Sequence, residues 1–231
     1  MFVALGLAAG LCLPARGQAK AEERVITVTG QGEVQAAPDT VDVMMGVEHQ
    51  ESTARQAMER VSRAMQALLD ALRRESVPER SIRTATIRLE PVYQQPEPGR
   101  GQPRLIGYRA SNTVTVTLSD VRRAGPVLDA GLAAGANQVL GIVFRLADEL
   151  PSRLAALKAA TEQARAKART LAESFGVPLG RLEGVSESAG AVPMPHFEAL
   201  AARAGDVGVP VQPGEITVRA MVTARYRIEG G

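Results

Sequence analysis

Cysteine, tryptophan and histidine are nearly absent from this sequence of 231 residues. It contains one cysteine, no tryptophan and two histidines, and aromatic residues make up only 3%. The cysteine, Cys12, lies near the N-terminus, so a chain that loses this segment can form no disulfide and offers no thiolate to a metal. His49 and His196 have no partner at metal-ligand spacing. These shortages predict a protein without a metal or a cofactor.

Motifs of the common catalytic machineries are also missing. There is no Gly-x-Ser-x-Gly elbow and no Walker loop. Gly30-Gln-Gly32 lies inside a strand pattern instead of opening a helix, so it predicts close backbone packing or a bulge, not a phosphate site. The formal net charge is only +2, and the aromatics are few, which argues against nucleic-acid binding. We therefore expect no catalytic residues and no nucleic-acid partner.

Residues 1–19 have the pattern of an export signal. Phe2 to Leu13 is apolar apart from its glycines and is too short to span a bilayer. Small residues at Gly17 and Ala19 predict cleavage after Ala19, which leaves residues 20–231 as a mature periplasmic domain. Two alternatives stay open, an uncleaved anchor and a lipid on Cys12, although bulky Leu11 directly before the cysteine disfavours the lipid.

Hydrophobic periodicity predicts seven strands and three main helices in the remaining chain. The predicted strands are 25–36, 40–49, 82–90, 106–118, 138–146, 181–188 and 216–228, and the helices are 52–74, 121–134 and 151–175, with a further short helix near 197–203. Residues 40–147 follow the β-α-β-β-α-β order of a ferredoxin-like unit, with both helices on one face of an antiparallel sheet. Residues 25–37 with 150–230 are predicted to form a second small layer, a helix on an antiparallel sheet. The predicted fold class is therefore α+β, a two-layer sandwich.

The helix predicted at 151–175 is rich in alanine. The residues expected to face inward recur at helical spacing: Leu154, Leu157, Thr161, Ala164, Ala168, Leu171 and Phe175. The alanines indicate a close approach to another surface, either of the same chain or of a second copy. The basic residues of the opposite face are expected to be solvated: Arg153, Arg165, Lys167 and Arg169.

Two polar residues fall on the dry face of the strand predicted at 106–118. The strict alternation of this strand places Tyr108 and Asn112 with the apolar side chains. A buried asparagine needs hydrogen-bond partners, so we interpret the pair as a clamp that fixes neighbouring backbone. The alternative interpretation is that both residues line a small-molecule pocket.

A proline-rich segment separates the third and fourth predicted strands. Residues 91–103 contain four prolines and two glycines, which predicts a loop. Two to five residues would be enough to join these strands, and extra length is uncommon unless it is used or disordered. Pro91, Tyr93 and Pro103 are therefore the candidate interaction residues of this loop.

Short blocks along the chain resemble the SIMPL-domain family. In order they are Val28-Thr-Gly-Gln-Gly-Glu-Val34, Pro38-Asp39, Gly46-Val-Glu48, Pro91-Val-Tyr93, Gly107-Tyr-Arg-Ala-Ser-Asn112, Gly135-Ala-Asn-Gln138 and Leu171-Ala-Glu-Ser-Phe-Gly-Val177. Together they cover nearly the whole mature chain and are similar to the bacterial branch, described as periplasmic or outer-membrane immunogenic proteins linked to oxidative-stress defence. The resemblance implies an exported, non-enzymatic protein that self-assembles. It supplies no catalytic residues.

Three functions are compatible with these observations. The empty catalytic inventory and the threonine-rich and arginine-rich strand faces favour a homo-oligomeric scaffold or interaction protein. The second is a module that binds a small molecule or peptide of unknown identity in a cleft between the two sheets. The third is a hydrolase or antioxidant enzyme, but antioxidant chemistry usually needs a redox cysteine, a metal or a cofactor. We expect the first.

Overall fold

The computed structural model describes residues 24–94, 102–188 and 211–228. The strands are β1 Val25–Ala36, β2 Thr40–Glu51, β3 Ile82–Gln94, β4 Arg104–Leu118, β5 Gln138–Arg145, β6 Leu179–Ser188 and β7 Ile216–Ile228, and the helices are α1 Ala54–Arg74, α2 Ala124–Ala133 and α3 Leu150–Ser174. The order of elements agrees with the prediction, and the α+β class is confirmed. The predicted signal segment, His196 and the helix predicted at 197–203 lie outside the described residues.

The strands form two antiparallel sheets. One has the order β3-β4-β2-β5, and the other has the order β1-β7-β6. The first is the strand order of the ferredoxin-like unit, in which two split β-α-β units interleave. Helices α1 and α2 contact each other and pack on the same face of this sheet, as predicted. Within the described residues, none of the helices is both long and apolar enough to cross a membrane.

The four-stranded sheet holds a core of large side chains. Apolar residues of α1 spaced three or four positions apart, among them Val61, Met65 and Leu68, meet the inward residues of β2 and β4. Leu68 of α1 and Val116 of β4 are fully buried. The helix begins where the Thr53 side chain accepts a hydrogen bond from the Gln56 amide at 3.3 Å. The second predicted helix begins differently, because a 3₁₀ turn at Val121–Arg123 precedes α2.

The three-stranded sheet is covered by α3 through very small side chains. The buried residues of α3 are alanines spaced by four: Ala156, Ala160, Ala164, Ala168 and Ala172. Opposite them, a Cβ atom added to Gly30 would lie 2.0 Å from the Ala160 carbonyl oxygen, and one added to Gly32 would lie 1.9 Å from that of Ala156. The close packing predicted for Gly30-Gln-Gly32 is therefore confirmed, and the surface that the alanines approach belongs to the same chain.

The inward stripe predicted for α3 is wrong in its larger members. Leu154 is 55% exposed and Phe175 is 75% exposed. The glycines of β1 let a ridge of alanines approach the sheet backbone, and this contact turns the leucines away from the sheet. A stripe chosen by hydrophobicity alone missed this, because alanine is a weaker apolar signal than leucine.

The segment predicted as a loop at 91–103 is also partly wrong. β3 continues to Gln94, with Pro91 opposite Tyr108 and Tyr93 opposite Leu105. β3 is an edge strand of its sheet, and an edge strand tolerates a proline because the missing N–H can face solvent. Pro103 lies directly before β4, and residues 95–101 lie outside the described part of the chain.

Candidate functional site

Several of the sequence blocks that resemble the SIMPL family contribute hydrogen bonds and close contacts within the four-stranded sheet. The Asn137 side chain accepts a hydrogen bond from the Glu48 amide and donates one to the Glu48 carbonyl, both at 2.8 Å. The Asn137 backbone amide also donates to the Gly46 carbonyl, so this residue extends the ladder of β2. A Cβ on Gly107 would lie 2.6 Å from the Glu51 carbonyl oxygen, which explains the glycine at the start of its block.

Tyr108 and Asn112 lie half-buried on β4, near the helix-covered core. Asn112 sits between Val47 of β2 and Ile87 of β3. Its Oδ1 atom is buried and has no hydrogen-bond partner among the described residues. Neither Tyr108 nor Asn112 lines either of the two cavities described below. Both the clamp and the pocket interpretation stay predictions.

Two aspartates near the junction of the two sheets are held in their charged form. Burial raises the pKa of Asp42, but hydrogen bonds from Arg145 at 2.9 Å and Thr117 at 2.6 Å outweigh it, so this pKa is lowered. A hydrogen bond from the Ala147 amide at 2.7 Å lowers the pKa of Asp39. These carboxylates are bonded to backbone and side chains of neighbouring elements, which suits a structural role.

A groove between α3 and β6 is the best candidate for a binding site. α3 lies over β1 and β7 and leaves β6 largely uncovered, so Leu182 remains 49% exposed and Val185 remains 59% exposed. The cavity between the two elements measures about 560 Å³. Its lining comes from α3, β6 and β7: Thr161, Arg165, Arg169, Leu179, Gly180, Leu182 and Tyr226. We call this cavity the α3–β6 groove.

The basic face of α3 is only partly as predicted. Arg153 binds Glu187 of β6 at 3.1 Å, and Lys167 Nζ donates to the Thr29 carbonyl at 2.8 Å, so both are engaged instead of merely solvated. Arg165 and Arg169 line the α3–β6 groove. Neither forms an ion pair with another described residue. The groove therefore combines an apolar wall with two guanidinium groups that have no carboxylate partner in the described part of the chain.

A second cavity is lined by residues of β1, β7 and α3 and measures about 420 Å³. Two of its polar side chains are already engaged. Gln163 accepts a hydrogen bond from the Gln31 amide at 2.8 Å, and Arg219 binds Glu33 at 3.0 Å. With its arginine and Gln163 already bonded within the protein, this cavity is a weaker candidate than the α3–β6 groove.

The sequence analysis predicted a binding cleft between the two sheets. In the structure, the best candidate groove lies between α3 and β6 of a single layer. One signal could have located it. Arg153, Leu157, Thr161, Arg165 and Arg169 recur every four residues and therefore share one row of the helix. The row contains arginines, a leucine and a threonine, so it matches neither an apolar stripe nor a purely charged face.

The four-stranded sheet carries exposed apolar side chains on its β3–β4 hairpin. Strand β4 pairs with β2 from Leu118 only to Tyr108, so the end of the β3–β4 hairpin projects beyond β2. Large apolar side chains on this hairpin are between 43% and 58% exposed: Ile87, Leu89, Tyr93, Leu105 and Ile106. We call these five residues the hairpin patch.

Comparisons with known proteins find relatives that match most of the chain. The chain is 33% identical over 240 aligned residues to the 26 kDa periplasmic immunogenic protein of Brucella melitensis, covering 99% of this chain and 95% of that protein. It is 29% identical to the uncharacterized protein YggE of Edwardsiella ictaluri over 69% of this chain and 66% of that protein, and 29% identical to YggE of Escherichia coli over 69% and 64%. Residues 26–226 match the model of the SIMPL family, described as a protein of unknown function (DUF541). The chain belongs to the SIMPL family.

Proposed function

We propose that this chain is an exported periplasmic protein that assembles with copies of itself and acts by contact, without catalysis. The relative that matches nearly the whole chain is named a periplasmic protein, and residues 1–19 have the pattern of a cleaved export signal. The hairpin patch is the observation on which the assembly proposal rests. Ile87 and Leu89 lie on edge strand β3 beside the part of β4 that pairs with β2, and the other three residues lie on the end that projects beyond β2. Exposed apolar side chains of this kind are typical of protein–protein interaction surfaces.

Edge strands β1 and β3 differ in how far other side chains block their free backbone groups. At the edge of β1, Gln163 accepts from the Gln31 amide and Lys167 donates to the Thr29 carbonyl. These side chains occupy backbone groups that another strand would need, so they oppose pairing at this edge. β3 is also an edge strand, and it carries three of the five residues of the hairpin patch. We therefore assign assembly to the β3 side.

The absence of enzymatic activity is part of the same proposal. No three His, Cys, Asp or Glu side chains within the described residues cluster as metal ligands would. Asp39 and Asp42 are bonded to structural partners, and their lowered pKa values make them weak bases. Outer-membrane association and a link to oxidative-stress defence belong to the proposal on the family resemblance alone.

Sedimentation velocity on residues 20–231 tests the assembly at several micromolar concentrations. We expect a species larger than the monomer, and we expect Leu89→Lys to dissociate it. Val143→Lys is the matched control, because Val143 is 41% exposed and Leu89 is 43% exposed, on opposite edge strands of one sheet. A wild-type monomer at all concentrations contradicts assembly, and dissociation by the control alone contradicts the assignment to the hairpin patch.

The α3–β6 groove favours a second function, binding of a small molecule, which is compatible with assembly. Its volume of about 560 Å³ falls within the range of small-molecule sites, about 300–1,000 Å³. The groove and the hairpin patch lie on different sheets, so a ligand and a second copy need not compete. A ligand-dependent rise in melting temperature that Leu182→Gln abolishes would support binding in this groove.

A further inference from the structure

We infer that the α3–β6 groove binds a single-chain amphiphile with an anionic head group, a carboxylate or a phosphate. This inference rests on the second proposed function, ligand binding in the groove. The head group is assigned to Arg165 and Arg169, and the alkyl chain to the wall formed by Leu179, Leu182 and Tyr226. The argument follows from charge, from the hydrogen-bonding capacity of the lining, and from the shape of the groove.

Charge points to an anion. Arg165 and Arg169 are one helical turn apart, and like charges at this spacing destabilise a helix. Arg153 of the same helix is matched by Glu187 and Lys167 by a backbone carbonyl, whereas Lys158, like the two groove arginines, forms no ion pair with another described residue. Guanidinium groups suit carboxylate and phosphate oxygens because their donors match them in a planar fork. An anion between the two arginines would relieve their repulsion.

The rest of the lining points to an apolar chain instead of a sugar or a peptide. Thr161 already donates its hydroxyl hydrogen to the Leu157 carbonyl at 2.9 Å. The other lining side chains beside the arginines are leucines and one tyrosine. A sugar or peptide would bury polar groups that find few partners here, and unpaired buried polar groups are costly. An alkyl chain loses nothing by this contact.

The two ends of the groove differ, which gives the ligand a direction. The Arg153–Glu187 ion pair joins α3 to β6 four residues before Leu157. Arg169 and Leu179 mark the other end of the cavity. Exposed Leu182 and Val185 lie on β6 between these two ends. The head group is therefore expected at the Arg165–Arg169 end, with the chain extending along Leu182 toward Val185.

Isothermal titration calorimetry on delipidated protein of residues 20–231 tests this inference. The probes are the sodium salts of octanoate, decanoate and dodecanoate, with dodecyl phosphate and uncharged dodecanol for comparison. We expect one site per chain and an affinity that rises up to about fourfold for each added methylene group, from about 0.8 kcal/mol per buried methylene. The stronger of dodecanoate and dodecyl phosphate identifies the head group.

The decisive variant is Arg165→Ala/Arg169→Ala, matched by Arg60→Ala/Arg63→Ala on an exposed face of α1. Both variants remove two positive charges. We expect the first to weaken dodecanoate at least tenfold and the second to leave it unchanged. Equal binding by both variants, or equal affinity of dodecanol, overturns the head-group assignment. Binding of a hydrophobic peptide with no binding of any alkyl anion overturns the amphiphile while leaving ligand binding in place.

Discussion

At the scale of single residues, the glycines of β1 set how closely α3 can approach the sheet. A Cβ on Gly30 would lie 2.0 Å from the Ala160 carbonyl oxygen and 2.6 Å from the Ala164 amide nitrogen, and both are backbone atoms that cannot rotate away. Gly30→Ala must push the helix off the strand, and we expect it to reduce the free energy of unfolding by about 3 kcal/mol, at the upper end of overpacking costs. Urea denaturation gives this number directly.

The chain offers a matched control for this substitution. Gly184 is also a strand glycine, in β6, and a Cβ there would meet nothing within 4 Å. Gly184→Ala should therefore change the free energy of unfolding by less than about 0.5 kcal/mol, as for an ordinary surface position. If both alanines cost the same, strand glycines matter here for their backbone freedom and the close helix contact is not what Gly30 serves.

At the scale of elements, the three helices end in the same way. In α1 the Val77 amide donates to the Leu72 carbonyl, and in α3 the Val177 amide donates to the Ala172 carbonyl, each at 3.0 Å. The end of α2 has the same pattern, with the Ala136 amide bonded to the Gly131 carbonyl. This is the Schellman motif, which needs one residue with positive φ after the helix. Glycine occupies that position after α2 and α3, whereas Ser76, with φ of 58°, occupies it after α1.

Ser76→Gly should therefore stabilise the protein. The left-handed conformation costs a residue with a Cβ about 1–2 kcal/mol, partly offset by the greater entropy that glycine loses on folding. We expect a net gain of about 0.5–1 kcal/mol, seen as a higher melting temperature. The reciprocal change Gly176→Ser, at φ of 63°, should lower it. A loss of stability in Ser76→Gly would show that the serine side chain contributes more than its backbone strain costs.

The elements differ in how far the sequence determined them. Strands with strict alternation, such as β4 and β7, were predicted within about two residues, because period two is typical of a strand. The alternation did not predict burial fully, since Thr113 and Thr115 on the polar face of central strand β4 are buried as well. The inward face of α3 was not predicted, because it depends on glycines more than a hundred residues away in β1. For the α3–β6 groove, the sequence contains the row of α3 that faces it but not the other walls. The walls of the groove come from elements whose distance from each other no local pattern records.

At the scale of the whole molecule, the two layers differ in the size of the side chains that they bury. The four-stranded layer buries large side chains, among them Met45, Leu68 and Leu72. The three-stranded layer buries mainly valines and the alanines of α3, divided among three small clusters. Burial of apolar area is the main favourable contribution to folding, so the second layer gains less per residue. Its close backbone contacts supply dispersion but little apolar area.

We therefore expect the two layers to open with different free energies. Native-state hydrogen exchange, measured in low concentrations of urea, should show amides of α3 and β6 exchanging through a partial opening well below the global free energy of unfolding. Amides of β2 and β4, in the centre of the four-stranded sheet, should exchange only by global unfolding. Leu68→Ala removes a fully buried side chain at a cost of about 2–5 kcal/mol. It should lower the opening free energy measured at amides of β2 and β4 and leave that of α3 and β6 nearly unchanged. If the amides of both layers opened with one free energy, the prediction would be wrong. Contacts at the junction, such as the hydrogen bond from the Ala147 amide to Asp39, would then couple the layers into one cooperative unit.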